Sequence, residues 1–290
     1  MDIAYWFQFW WMLPLGVVIC TIACASSVEG AVMFSPLFIL GFPLLGQAPL
    51  RPAESVATAL IIETVGYTSG FLGHRRQRCV DFETVRSLLL ISVPAAVLAS
   101  LAAGTVPDRA LLLLIGAVMF PLAWLLSRSI HEGHSSEGGE SPGGHPGGKL
   151  LTAADGRKYQ FAPETRPGAA AALAGLGGVL AGLVGIGIGE VTNTQLMVRR
   201  HMPPRISIAT SVPVVLGTVV AASLVRLLTL RQTGLAVPWN LVAPTAIAVL
   251  IGGQLAPLVT RLVPGLRLKQ FLVVLFIFIG LSTFRSGLAG

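Results

Sequence analysis

The strongest constraint on this chain is the recurrence of apolar runs of bilayer length. Stretches near 53–72, 85–103, 110–127, 206–228, 237–260 and 268–286 are each close to the roughly 20 residues that cross a hydrocarbon core of about 30 Å. Runs of this kind predict membrane helices, so the expected fold class is an all-α polytopic membrane protein. Composition agrees: the chain is 53% hydrophobic and 11% charged, where soluble domains carry about 25% charged residues. The formal net charge of +7 would suggest a nucleic-acid partner in a soluble chain. Here the Lys and Arg fall between the apolar runs, where they orient a protein in its membrane, and no nucleic-acid partner is expected. Trp6, Trp10 and Trp11, in an N-terminal stretch without Lys or Arg, read as an interfacial aromatic belt rather than as part of a signal peptide.

Two further stretches are apolar but broken. The first, 14–46, is interrupted by Ser26-Ser-Val-Glu-Gly30 and again near Pro36. As one helix it would be about 50 Å long, too long for a single span. The second runs from Gly168 to about Val198 and places Gly185, Gly187 and Gly189 at alternate positions, directly before Glu190. Each Gly weakens a helix by about 1 kcal/mol relative to Ala, so the helix is expected to open there. Open backbone at membrane depth is tolerated only where protein or a water-filled cavity satisfies it. A carboxylate at such a break points to function.

The order of features repeats. Ala57-Thr58 and Ala209-Thr210 stand early in the span after each broken stretch, Pro94 and Pro244 inside the next, and Val106-Pro-Asp-Arg109 and Val263-Pro-Gly-Leu-Arg267 before the last. Their common order predicts two homologous repeats, residues 1–128 and 168–290, joined by a hydrophilic linker, 129–167. The linker is rich in Gly, Ser, Glu and Pro up to Gly148 and then reads as a small hairpin, Leu150–Phe161, turning at Asp155-Gly156. Charge chooses between two arrangements of the repeats. If each broken stretch crosses fully, 12 of the 20 Lys and Arg lie inside. If each re-enters and leaves where it entered, the repeats are inverted, each with three full spans; only Arg51, Arg109, Arg226, Arg231 and Arg285 then lie outside, leaving 15 inside. The positive-inside rule prefers the second arrangement, with a cytoplasmic linker and outward termini. It brings Ser26–Gly30 and Gly185–Gln195 together near the midplane, where half-helix N-termini suit an anion.

At this point the residues resemble a known family. Gly185-Ile-Gly-Ile-Gly-Glu-Val-Thr followed by Arg205-Ile-Ser-Ile-Ala-Thr-Ser211 resembles the second-repeat motif of the TauE/SafE sulfite exporter family, and Glu29-Gly30, Phe34-Ser-Pro-Leu37 and Ala57-Thr58 resemble its partner repeat. The chain departs from the usual pattern in having Ser-Ser-Val-Glu-Gly where several glycines are common, and Thr194 near a common Pro. The resemblance covers almost the whole chain. It implies secondary transport of small sulfur-containing anions, or related organic anions, across the cytoplasmic membrane by a multi-pass protein.

The expected substrate-binding or coupling residues are those at the breaks and on the adjoining spans: Ser26, Ser27, Glu29, Gly30, Thr58, Gly187, Gly189, Glu190, Thr192, Asn193, Gln195, Thr210 and Ser211. A carboxyl removed from water takes up a proton more readily, so Glu190 is read as a coupling group, with Glu29 in the analogous place; the bland alternative is a carboxylate capping its half-helix. Glu63 is a third carboxylate in an apolar run, either on the pathway or partner to a buried polar group. Thr192, Asn193 and Gln195 offer neutral hydrogen bonds to an oxyanion, as do Thr58, Thr210 and Ser211, although such hydroxyls also bond the carbonyl one turn back. Gly187 and Gly189 permit close backbone approach. Arg199, Arg200 and Arg205 draw anions to the inner mouth or simply set topology.

The competing classes are weaker. His131-Glu-Gly-His134 lacks zinc-protease spacing, and no His lies in an apolar run to activate a Ser, so an intramembrane enzyme is not expected and no catalytic residue is assigned. A channel, or a carrier of another organic anion, is the alternative. His131, His134 and His145 lie in a linker that does not preorganise ligands, and Cys20, Cys24 and Cys79 have no zinc-finger spacing; neither metal nor cofactor is expected. The expected partners are a small anion and the lipid bilayer, with a homodimer left open.

Overall fold

The computed structural model describes residues 3–26, 28–133, 148–262 and 265–289. Among the described residues the regular structure is helical apart from one hairpin. After a short α1 (Ile3–Phe7), α2 (Met12–Ser26) leads into a gap and then α3 (Ala31–Pro36), a π-helical turn (Leu37–Gly41) and α4 (Phe42–Leu44). Three long helices follow: α5 (Pro52–Arg76), α6 (Phe82–Ala103) and α7 (Asp108–Gly133). The second half has α8 (Pro167–Val184), α9 (Ile188–Arg200), α10 (Pro204–Gln232), α11 (Trp239–Leu262) and α12 (Gly265–Ala289). Among the described residues, seven helical segments are long and apolar enough to cross a bilayer, and Ala31–Leu44 and Trp239–Leu255 are shorter apolar stretches. This is an all-α polytopic membrane protein.

Local chemistry sets several boundaries. Pro stands at the first position of α5, α8 and α10, where its missing N–H is not needed. Glu54 accepts the Arg51 N–H (3.2 Å) to close the start of α5. Pro36 has no N–H to give its preceding turn, and the helix answers with the wider turn that follows. The helices overrun the sequence-derived spans by a few residues at most ends, because polar residues such as Arg75, Arg76 and Arg231 continue the final turns beyond the apolar window.

The packing partners form a set with internal order. α2 lies on α11, and α8 on α6; α5 meets α10; α5 meets α11, and α10 meets α6; α7 meets α12. Exchanging α2 with α8, α5 with α10, α6 with α11 and α7 with α12 returns the same set. Glycines make the two outer contacts close. A Cβ on Gly178 or Gly182 of α8 would sit 2.4 Å from the carbonyl oxygen of Ser92 or Ala96 of α6. On Gly252 of α11 it would sit 2.8 Å from the Val17 carbonyl of α2. Small residues at helix crossings are how membrane helices approach without a hydrophobic driving force.

The bundle has two ends. At one, the terminal end, Gln8 donates to Gln47 (3.3 Å), Asn240 to Gln8 (3.0 Å), and Arg109 to the Gly287 carbonyl (2.9 Å). The chain therefore enters α2 and leaves α4 at the same end, an arrangement fixed also by Phe9 stacking on Phe42. At the other, the hairpin end, β1 (Lys149–Thr152) pairs with β2 (Lys158–Phe161), Thr152 opposite Lys158, with the turn expected at Asp155-Gly156 and Gly156 at φ +80°. Here the Ala162 N–H donates to the Arg200 carbonyl (2.9 Å), so the chain enters α8 and leaves α9 at this end. Lys149 and Arg200 both pair with Asp81 and hold the hairpin and α9 to the start of α6.

Candidate functional site

The two gaps, between α2 and α3 and between α8 and α9, face each other inside the bundle. Gly185 (φ +79°) ends α8 and Gly187 (φ +109°) precedes α9. Both take the left-handed conformation that Gly adopts without penalty. Gly189, read from sequence as part of the break, is already helical. Its lack of a side chain serves approach instead: a Cβ there would lie 3.1 Å from Glu29 Oε1.

Glu29 is fully buried and acts across the interface. The Gly187 N–H donates to its Oε2 (2.6 Å) and the Gly189 N–H to its Oε1. In return the Glu29 N–H donates to Glu190 Oε1 (3.2 Å). Each carboxylate thus satisfies free N–H groups of the opposite break. Glu190 also interacts with its own backbone N–H in the first turn of α9, so it serves its own half-helix as well as the opposite break. Glu190 Oε2 is buried without a partner.

Glu63 of α5 stands beside this clasp. It is 3% exposed, and both its oxygens lack a hydrogen bond. The Gly30 and Ala31 N–H groups act on it electrostatically without closing a bond. Among the described residues, no cation lies within ion-pair distance of Glu29, Glu63 or Glu190.

A cavity of about 650 Å³ runs from the hairpin end towards the breaks. Asp155, Arg157 and Arg205 line its mouth, Tyr67, Ser69 and Ser211 its wall, and Cys24 and Gly189 its depth. Arg205 donates to Asp155 (2.6 Å) and to the Tyr159 hydroxyl (3.1 Å), and the Asp155 carboxyl, bonded to that guanidinium, is held below its ordinary value of 3.8. The cavity thus extends from the hairpin end as far as Gly189.

The residues singled out from sequence divide accordingly. Glu29, Glu190, Gly187 and Gly189 are brought together, and Gly30 begins the chain after the first gap. Thr58, Thr192 and Gln195 are buried with hydroxyl or amide atoms that have no partner, so they keep hydrogen-bonding capacity. Thr210, Asn193 and Ser211 spend theirs on structure: Thr210 accepts the Asp81 N–H (3.1 Å), Asn193 accepts from Ser207 (2.6 Å), and Ser211 donates to the Ile208 carbonyl (2.9 Å). Ser26 closes α2, but its side chain, like Ser27, lies outside the described residues, as do the side chains of His131, His134 and His145. Among the described residues no cluster could hold a metal ion.

Tyr67, His74 and Gln254 also line the cavity, although they are not among the residues expected from the sequence. A signal was present: Gly66, Tyr67, Gly70, Gly73 and His74 recur at three- and four-residue steps from Glu63, which is one face of a helix.

The sulfite exporter TauE/SafE family model matches residues 12–283. No curated protein and no solved structure matches the chain. The match spans nearly all of both halves, and the chain belongs to this family.

Proposed function

We propose that this member of the TauE/SafE family, a multi-pass membrane transport protein, is a secondary transporter that carries a small sulfur-containing anion, of sulfite or organosulfonate type, across the cytoplasmic membrane in step with a proton. The observation that carries the reading is the reciprocal clasp of Glu29 and Glu190 across two broken helices at the depth of a solvent-sized cavity. Half-helices that meet at the midplane are the usual place for a transported solute. The two repeats are inverted: α2 starts at the terminal end and α8 at the hairpin end, and each broken pair returns to the end it came from. With the Lys and Arg of the hairpin end placed inside, that end is cytoplasmic.

Coupling follows from charge. Glu29, Glu63 and Glu190 stand behind the cavity lining, and an anion that reaches Gly189 at its depth comes up against the clasp. At roughly 6 Å and an effective dielectric constant of about 20, each ionised carboxylate would repel it by about 3 kcal/mol. A proton on Glu63 or Glu190, whose oxygens include unpartnered ones, removes that repulsion and so must accompany the anion. Thr58, Thr192 and Gln195 hold unused hydrogen-bonding atoms off the cavity lining, so they serve the oxyanion once it passes into the breaks, and the cavity volume suits an organosulfonate as well as bare sulfite.

The test is flux in proteoliposomes under pH gradients of either sign. Saturable sulfite or sulfoacetate flux is expected to follow the gradient in the wild type. Glu190→Gln and Glu63→Gln, which fix a neutral side chain, are expected to lose that dependence. Flux coupled as in the wild type in both variants would refute the coupling role, and no flux with any sulfur anion would refute the substrate class.

A further inference from the structure

A second cavity, of about 260 Å³, opens at the terminal end. Arg51 and Asp108 stand at its rim, Gly104, Thr229 and Thr233 on its wall, and Arg226 of α10 inside. Arg226 is 2% exposed and has no carboxylate within ion-pair distance among the described residues. One amino group donates to the carbonyls of Gly182 (3.0 Å) and Leu183, at the end of α8. Its Nε is buried with no partner. A buried guanidinium with an unused donor is costly unless something pairs with it. The rim does not supply the missing charge, because Asp108 is engaged by Arg51 (2.8 Å). The cavity is therefore net positive.

Its place in the fold gives this charge a purpose. Arg226 lies 16 residues after Thr210, as His74 lies 16 after Thr58. His74 lines the cavity at the hairpin end, and its Nδ1 is also buried without a partner. The two halves thus put a basic side chain with an idle nitrogen at equivalent depth behind opposite mouths. One cavity is deep and reaches Gly189; the other is shallow.

We propose that the terminal-end cavity is a binding site for a small oxyanion, a sulfonate or sulfite group, held by the Arg226 guanidinium once a turn of that side chain presents its unpartnered Nε to the cavity, and that it is the station on the far side of the breaks from the deep cavity. This rests on the transport reading for its purpose but not for its chemistry. A planar guanidinium presents fixed donors that match a tetrahedral or pyramidal oxyanion, whereas a cation would be repelled.

The experiment watches Arg226 directly. In the full-length protein in micelles, labelled with nitrogen-15 at arginine, the Nε–H signal of Arg226 is assigned by its absence in Arg226→Lys. Methanesulfonate, which does not react with thiols, is expected to shift that signal saturably, and chloride at equal ionic strength is not. Thr233→Glu, an exposed change at the cavity wall that leaves the buried contacts alone, is expected to weaken the methanesulfonate affinity at least threefold. A signal that does not move, or that moves equally with chloride, overturns the site even if sulfite flux persists. An unchanged affinity in Thr233→Glu places the anion elsewhere and overturns it too. A saturable shift in a protein without flux upholds the site and refutes transport.

Discussion

Replacing Glu29 by Gln tests the clasp that joins the two halves. Both Glu29 oxygens act only as acceptors, for the Gly187 and Gly189 N–H groups, in a site with no solvent exposure. A Gln keeps one acceptor and turns an amide NH₂ towards the other N–H. One buried backbone donor is then stranded, which costs about 1–3 kcal/mol, or a factor of roughly 5 to 150 in the folding equilibrium. The matched control is Thr58→Val, a change of the same shape. The buried Thr58 hydroxyl has no partner, so this change strands nothing; stability is expected to hold or rise. The assay is unfolding in mixed micelles titrated with a denaturing detergent, followed by circular dichroism. Equal stability of Glu29→Gln and wild type, or an equal loss in both variants, would refute the clasp.

Other predictions follow from single contacts. Gly178→Val should destabilise the bundle by at least about 1–3 kcal/mol, since even a Cβ would sit 2.4 Å from the Ser92 carbonyl oxygen; thermal melting in detergent that matches wild type would contradict the α6–α8 packing. Asp155 is held below 3.8 by Arg205, so its pair stabilises the hairpin above that value and is lost as the pH falls below it. Hydrogen exchange in the hairpin should therefore distinguish Asp155→Asn from wild type at pH 7 and not at strongly acidic pH; a difference that persists there would contradict the pairing. Arg205→Gln should lower uptake from the hairpin end severalfold at low salt and much less at high salt; an effect independent of salt would remove the mouth's electrostatic role. A cysteine at Thr233 should label from outside intact cells and one at Lys158 should not; the reverse pattern would invert the proposed sidedness.

The sequence made the long helices legible because bilayer length leaves few alternatives, and Asp155-Gly156 announced the hairpin. It also located the breaks, through three closely spaced glycines and two glutamates. It did not reveal that Glu29 serves Gly187 and Gly189 while Glu190 serves Glu29, because that exchange joins residues about 160 positions apart. Nor did it separate Thr210 and Asn193, which are spent on structural bonds, from Thr58 and Gln195, which are not; the functional groups are the same, hydroxyl and amide, and only the neighbours differ. Glu63 stood in plain view with Gly66, Tyr67, Gly70 and His74 at helical spacing, but a helical face gains meaning only when its partner is known, and here that partner is a cavity.

The measurement that bears most directly on the central claim is counterflow. Proteoliposomes loaded with unlabelled sulfite are diluted into trace labelled sulfite. A carrier that exposes one site to each side in turn will accumulate the label transiently above its external concentration, and the wild-type protein is expected to do so saturably. Simple equilibration with no overshoot would make the protein a channel, and no entry of label into the vesicles, with sulfoacetate failing likewise, would contradict the sulfur-anion assignment.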